Sequence, residues 1–450
     1  MAMTWSQLLS PQRFRAKNGE IIPTVTPSTQ EGIDALRTDF HIDYDRVVFS
    51  GAFRRLGRKT QVHPLAEHDL THNRLTHSVE VASVGRSLGN RVGVMLQTGG
   101  FLPENNTPGD IGAVVQVACL AHDLGNPPFG HTGEDALRHW FRKETNLRFL
   151  TSLSEAELSD VQTYEGNAHS LRIVANLEMY PDAGGMRLSA ASIGALIKYP
   201  WTSQGPRGRS KFNIYQTELP FIRRVAAELG LLEAGCDQWV RHPLSYLMEA
   251  SDDICYALLD LEDAVELELL TDTEVESVLS ELTFEESTWH AQSSRQRCAM
   301  LRGIAIGKAI EDAAQTFMKH QSDLLSGEFK GKDLISLCSP EVQNTLEKAK
   351  ELARTRIFRH RTKLMTEIAT FPCLGSILDL FVPAAHALLV EQKLDVRQSL
   401  ILDLLKNHNP ILETDSLYQA YMKILDFVGG MTDNAAAKMA QDLSGTGILR

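Results

Sequence analysis

Cysteine is scarce in this chain: six in 450 residues, at positions 119, 236, 255, 298, 338 and 373, with no Cys-x-x-Cys pair. That spacing excludes a thiolate zinc knuckle and a redox dithiol, and it suits reduced thiols used as small core residues. Positive charge is also in deficit. Lys and Arg number 45 against 57 Asp and Glu, a net charge of −12. This disfavours a constitutively basic nucleic-acid binder, while local basic patches stay open. No apolar run reaches about 18 residues, so no membrane span is expected. The opening stretch MAMTWSQLLSPQRF has no apolar signal segment, and the expected location is cytoplasmic. A phosphate-binding glycine loop, a dinucleotide glycine motif and a nucleophilic Ser or Cys triad are missing as well.

What the chain does have is helical periodicity, with 43% hydrophobic residues to bury. Alternating strand patterns are scarce, so the expected class is all-α, with one short hairpin near 59–69. Val79, Val81, Val84, Leu88 and Val92 recur on one broad face and predict a helix over 75–97. Further helices are expected over 111–124, from a capping-type start at 153–160, over 167–179, and from Pro243 to 268. Residues 1–30 read as an irregular arm, and 199–211 as a long polar, mobile loop. From 273 to 450 the pattern stays helical, with interruptions at Pro340, Pro372, Pro383 and Pro410. The expected division is an N-terminal arm (1–34), a catalytic core (35–268) and a C-terminal helical region (269–450) that packs on the core and in oligomer contacts.

The informative stretch is ACLAHDLGNPPFGHTGED, residues 118–135. Ile111, Val114, Val115, Val117, Leu120 and Ala121 make an apolar helix, and His122 and Asp123 sit directly on its end. Leu124-Gly125 ends the helix and Asn126-Pro127-Pro128 forbids its continuation. Burying an imidazole and a carboxylate without a partner costs several kcal/mol, so a partner is implied. His77 lies near the start of one apolar helix, and Asp252 lies within another. Two imidazoles and two carboxylates can close four positions around a divalent cation and leave one or two for water or a phosphate oxygen. Each residue alone has a bland explanation as a cap or a satisfied core group. The ordered set His77, His122-Asp123, Asp252 on separate apolar helices is much more specific.

Downstream, Glu134 follows His131 by one helical turn, where a carboxylate can fix an imidazole tautomer and raise its basicity. Asp252, Tyr256 and Asp260 are spaced i, i+4, i+8, which strings a ligand, an aromatic ring and an acceptor along one stripe about 6 Å apart. Arg54, Arg55, Arg58 and Lys59 form a basic cluster, and Arg207, Arg209 and Lys211 another.

These residues together resemble the bacterial dGTPase family of the HD-domain phosphohydrolase superfamily. The resemblance is carried by RTDFHIDYDRVVFSGAFRRLGRKTQV, HNRLTHSVEVASVGRSL, AHDLGNPPFGHTGEDAL, YEGNAHSLRI and SDDICYALLDLEDA, and at the far end by GGMTDNAA (429–436). It covers residues 35–265 closely. It implies an HD-domain helical fold in which His77, His122, Asp123 and Asp252 are metal ligands. His131 is then the general acid/base and Glu134 its orienter. By the same resemblance Gln61, Tyr256 and Asp260 contact the deoxyribose, with Gln61 and Asp260 at its 3′-OH. Arg74, Lys211 and Asn126 stand near the phosphates. The implied metal is Mg or Mn, with Fe, Co, Ni and Zn compatible with the same donors. The implied reaction is hydrolysis of dGTP, or of dNTPs more broadly, to a deoxynucleoside and tripolyphosphate. The family also implies a homo-oligomer, with a hexamer favoured, and single-stranded DNA or a second nucleotide as an activator. The chain departs from the family at His169, where glutamine is usual, which leaves the ligand set intact but puts base preference in doubt.

Two rival readings stand beside this one. The first is an HD phosphohydrolase of another nucleotide, such as a nucleoside monophosphate or an alarmone. The spacing of Tyr256 and Asp260 and the loop after His122 favour a dNTP over these. The second is a nucleotide-sensing or DNA-binding module whose HD site is largely structural. It predicts a missing ligand or a missing His131, and neither is missing.

Overall fold

A computed structural model describes residues 2–24, 37–61, 72–206, 210–282, 293–356 and 361–449. Helices dominate, and the described strands form two small antiparallel pairs. In chain order, the elements that build the site begin with a hairpin, β1 (Arg13–Lys17) and β2 (Glu20–Thr24). Helices α1 (Asp39–Val48), α2 (Arg74–Thr98), α3 (Pro108–Ala121), α4 (Gly130–Arg142), α5 (Glu155–Gln162) and α6 (Gly166–Arg172) follow. Then come the pair β3 (Glu233–Gly235) and β4 (Gln238–Trp239) and helix α7 (Pro243–Glu266). The C-terminal part supplies α8 (Ser294–Lys319), α9 (Pro340–Arg356), α10 (Arg361–His386), α11 (Leu417–Gly429) and α12 (Asp433–Leu443).

Local chemistry explains several boundaries. Asn73 caps α2 by accepting from the Leu75 and Thr76 amides, both at 3.0 Å. Thr107 and Asp110 form a capping box on α3, with Pro108 at its first position. Ser154 and Glu157 do the same for α5, as their spacing predicts. Helix α6 gives way to a π turn at Ile173–Leu177, so the expected helix over 167–179 ends two residues early.

Buried apolar residues gather in two clusters. One includes Leu88, Val92, Val114, Val117, Ile254 and Leu258 of α2, α3 and α7. The other includes Leu137, Phe141, Leu374, Phe381, Tyr421 and Leu425 of α4, α10 and α11. Each draws on residues from both sides of position 268. Within the first, α2 and α3 approach so closely that a Cβ on Gly89 would lie 2.8 Å from the Gly112 Cα. Only glycine permits that separation.

Four expectations differ from what is observed, and a fifth lies mostly outside the described residues. Residues 1–30 are not simply irregular: the β1–β2 hairpin lies there, and Met3, Trp5, Leu8 and Phe14 are buried in the first cluster. The hairpin expected near 59–69 falls mostly outside the described residues, and Thr60 makes an isolated bridge with Asn73. The loop at 199–211 is tied at both ends, for Trp201 Nε1 donates to the Lys211 carbonyl at 2.8 Å and Asn213 Oδ1 accepts from the Tyr199 amide at 2.7 Å. Pro372 and Pro383 do not interrupt the helix but lie inside α10. Two internal prolines cost about 3 kcal/mol or more each. Leu374, Ile377, Leu378, Phe381 and Val382 are completely buried on the same helix, and each contributes about 1.5–3 kcal/mol. The packing therefore outweighs the kinks. The stretch Lys363–Glu391 is also long and apolar enough to cross a membrane by length and composition, contrary to expectation. Its buried face packs into the second cluster, and its Asp379 accepts from Trp140 Nε1 at 2.7 Å, as in the core helix of a globular body.

Candidate active site

Three helices of the first cluster converge at one point. His77 lies one turn into α2, His122 caps the C-terminal end of α3, and Asp252 lies midway along α7. His77 Nε2 is 3.1 Å from Asp252 Oδ1, and His122 Nε2 is 3.6 Å from the same oxygen. One donor atom from each of the three residues lies within 4.8 Å of the others. His122 Nδ1 is 2.6 Å from the Cys119 carbonyl, which can only accept. That contact requires a proton on Nδ1 and leaves the Nε2 lone pair facing Asp252 and His77.

Asp123 stands beside this group with its oxygens engaged. Oδ2 pairs with Arg74, and Oδ1 accepts from Asn126 Nδ2 while lying 3.4 Å from His122 Nε2. Burial pushes the Asp123 carboxyl up, but Arg74, His122 and His77 outweigh it and hold it down at about 2. Asp252 is likewise pushed up by burial and pulled well below the usual carboxylate range by His122 and His77. Two carboxylates held ionised beside two imidazole nitrogens are a donor set that suits a hard or borderline divalent cation.

The loop after α3 is fixed from behind. A Cβ on Gly125 would lie 2.1 Å from the Ser170 amide nitrogen and 2.3 Å from the Gly166 carbonyl, so the loop lies flat on α6. Phe129 adopts the left-handed region at φ 64°, unusual for a side chain of that size. Its amide donates to Asp433 Oδ1 at 2.9 Å, while Asp433 Oδ2 accepts from the Thr60 amide at 3.0 Å and the Thr60 hydroxyl at 2.7 Å. Lys59 is buried and donates to the Asn126 and Gly429 carbonyls. Burial and the neighbouring Arg55 push its ammonium down to about 7.

His131 opens α4 with an exposed ring. Its Nδ1 is 3.1 Å from Oε2 of the buried Glu134, whose Oε1 accepts from the Gly166 amide at 2.7 Å. Burial raises the Glu134 carboxyl, but the bond to and charge of His131, then Arg138 and the Gly166 amide, bring it below its ordinary value.

A cavity of about 390 Å³ opens over the convergence point. Gln61, Arg74, His77, Asp123, Asn126, His131, Asp252 and Tyr256 line it, so most of the sequence-derived candidates meet in one space. His122 and Glu134 stand behind that wall through the contacts above. Asp260 is buried near the wall, where its charge adds to burial in raising the Tyr256 phenol. Lys211 is exposed and does not line the cavity, Arg54 and Arg58 are exposed, and Arg207 and Arg209 fall outside the described residues. His169 is buried behind the loop, 5.2 Å from the Tyr164 ring, and burial lowers its proton affinity well below the ordinary imidazole value.

Residues 74–165 match the HD domain family model. The chain is 44% identical over 419 residues to a deoxyguanosinetriphosphate triphosphohydrolase-like protein of Pseudomonas aeruginosa (strain LESB58), covering 91% of this chain and 94% of that one. It belongs to the deoxyguanosinetriphosphate triphosphohydrolase-like family of HD-domain hydrolases. A family member from Synechocystis sp. is 34% identical over 98% of this chain and 99% of its own. The deoxyguanosinetriphosphate triphosphohydrolase of Klebsiella pneumoniae subsp. pneumoniae is 30% identical over 79% of each chain.

In this family member the structure adds residues that sequence reading passes over. Lys363, Glu367 and Thr370 of α10 line the cavity opposite the histidines. Their i, i+4, i+7 spacing is a polar stripe on an otherwise apolar helix, which is the signal that could have found them. Phe129 and Thr132 also line the wall. Asp433, inside the quoted GGMTDNAA motif, becomes intelligible as the tie between two site loops.

Proposed function

We propose that this hydrolase cleaves 2′-deoxynucleoside 5′-triphosphates at the α-phosphorus, giving a deoxynucleoside and tripolyphosphate. The observation that carries the reading is the meeting of His77, Asp123, Asp252, His131, Arg74 and Tyr256 around one cavity large enough for a nucleotide. His77, His122, Asp123 and Asp252 would hold a divalent metal, Mg or Mn for preference. When bound, that metal supplies Lewis-acid stabilisation of a phosphate oxygen and acidifies a water.

The chain's own residues do the rest. Arg74 presents a cation to the phosphates from the cavity wall. Glu134 holds His131 by Nδ1, so that Nε2 is the nitrogen available to a leaving group. Water adds to the α-phosphorus and releases a proton to solvent, the bond to O5′ breaks, and His131 gives its proton to O5′ and regains one from solvent. Tyr256 packs on the deoxyribose where a 2′-hydroxyl would otherwise sit, with Asp260 one turn further along the helix. Gln61 Oε1 is buried without a hydrogen-bond partner among the described residues, and the sugar 3′-hydroxyl would satisfy it. Asn126, bonded to Asp123, orients that carboxylate. Lys211 is assigned to the phosphates on the family resemblance, its side chain being exposed outside the cavity wall.

A homo-oligomer, favouring a hexamer, belongs to the same proposal, as does activation by single-stranded DNA or a second nucleotide. The exposed apolar side chains of Met365, Ile368, Val396 and Leu400 support association.

The test is product analysis. Each dNTP and GTP is incubated with the protein and Mg or Mn, beside Asp123→Ala, and the products are resolved by ion exchange. Deoxynucleoside plus tripolyphosphate from dNTPs, lost in the variant and in EDTA, is the expected outcome. No turnover, including with mixed dNTPs or added DNA, overturns it.

A further inference from the structure

We propose that Arg138 is a positioning residue for the His131–Glu134 pair, and that it acts together with Glu165 as a matched charge couple. The inference rests on the reading of His131 as the proton donor.

The geometry is a chain of contacts leading away from the cavity. Glu134 Oε2 accepts from His131 Nδ1 at 3.1 Å, and Arg138 Nη2 lies 3.4 Å from the same oxygen. That nitrogen is also 3.0 Å from Oε2 of Glu165. Arg138 is held in place by Nε, which donates to the Tyr164 carbonyl at 2.7 Å, and by Nη1, which reaches Asp135 at 3.1 Å. Glu134 and Glu165 are both buried, and Glu165 Oε1 accepts from Asn167 Nδ2 at 2.6 Å.

Two buried carboxylates therefore share one guanidinium. With Asp135 on Nη1 as a third, exposed carboxylate the sum is negative, and the group placed to compensate it on the cavity side is the imidazole. A proton donor requires the protonated form of that ring. Burial and the charge of Glu134 push the Glu165 carboxyl up, with Lys211, the Asn167 bond and Arg138 opposing, while His131 and Arg138 hold Glu134 down. The other charged or titratable groups on the ring's cavity wall are Arg74 and His77 of α2, Asp123 after α3, Asp252 and Tyr256 of α7, and Lys363 and Glu367 of α10. Lys211 acts on Glu165 from the 199–211 loop.

The experiment measures kcat/KM against pH for the Mg-loaded protein and for R138Q, E165Q, R138K and the double variant R138Q/E165Q. Histidine ring NMR titrations, assigned with His131→Asn, read the same equilibrium without turnover. R138Q removes the cation, so the alkaline limb and the ring titration move up by about 0.5 pH unit or more. E165Q removes an anion and moves both down. The double variant brings both back toward wild type, and R138K leaves the limb in place. Unmoved limbs and ring titrations in R138Q and E165Q, with only lower kcat, would make Arg138 a structural brace and overturn the proposal. If R138Q fails to fold, the downward shift in E165Q decides alone. Full turnover by His131→Ala would sink the donor reading instead, and the ring titrations would still judge the charge couple.

Discussion

Asp433→Asn probes how the far end of the chain governs the site. Asp433 is buried, and both its oxygens accept: Oδ1 from the Phe129 amide, Oδ2 from the Thr60 amide and hydroxyl. The asparagine amide can keep one of these sites. If its oxygen stays with Phe129, its NH₂ meets the Thr60 N–H, donor against donor. The Thr60 hydroxyl can turn and accept, but the amide proton loses its partner. A stranded N–H of this kind costs about 1–3 kcal/mol. The expected fall in unfolding free energy, measured by urea with tryptophan fluorescence, is in that range. The same tie holds the loop that carries Asn126 and His131, so part of the loss reaches catalysis. If about 1.4 kcal/mol does so, kcat/KM for dGTP falls about tenfold. Asp433→Ala, which also strands the Phe129 amide, should roughly double the stability loss. An asparagine variant within about 0.3 kcal/mol of wild type, with unchanged kcat/KM, would refute the claim that Asp433 holds the two loops together.

Three further outcomes follow from the geometry. Gly125→Ala places a methyl 2.1–2.5 Å from the α6 backbone, which cannot yield as a flexible side chain would, so thermal unfolding should show a loss of about 3 kcal/mol or more. Asp160 is buried against Tyr418, Ser203 and the Gln216 amide, and burial pushes its carboxyl up to about 6 from 3.8. The folded chain thus keeps a proton that the unfolded chain releases, so Asp160 lowers stability as pH rises through roughly 4 to 6, by about 1.4 kcal/mol per unit at most. Asp160→Asn should flatten that part of the urea midpoint against pH. His131→Ala should cut kcat by about 10²–10⁴ and leave the unfolding midpoint nearly unchanged, because the ring is exposed.

The helices around the site were readable because their signals are local. Asn73 caps α2 and Pro127-Pro128 stops any continuation past His122, both within a few residues of sequence, whereas Thr107-Pro108 opens α3 three residues before the expected start at 111 and the helix ends at Ala121 rather than 124. The prolines of α10 misled for the same reason. Their cost is local and visible, while the burial of Leu374, Ile377 and Phe381 that offsets it comes from partners on other helices. The hairpin at 13–24 carried a local signal that went unused: Asn18-Gly19, both at positive φ, form the two-residue turn between Lys17 and Glu20.

The sequence by itself determined the chemistry on offer: two imidazoles, two carboxylates, a His-Glu pair one turn apart, and apolar helices to carry them. It did so because side-chain identity and helical phase are properties of neighbouring residues. Only the tertiary structure decided the wall opposite the histidines, where Lys363 and Glu367 arrive from α10, and the bracing of the loop by Lys59 and Asp433. Lys59 donates to the Gly429 carbonyl 370 residues away, and Asp433 reaches Phe129 across 304. No local pattern encodes such a meeting, because burial against distant helices decides which polar groups must find each other.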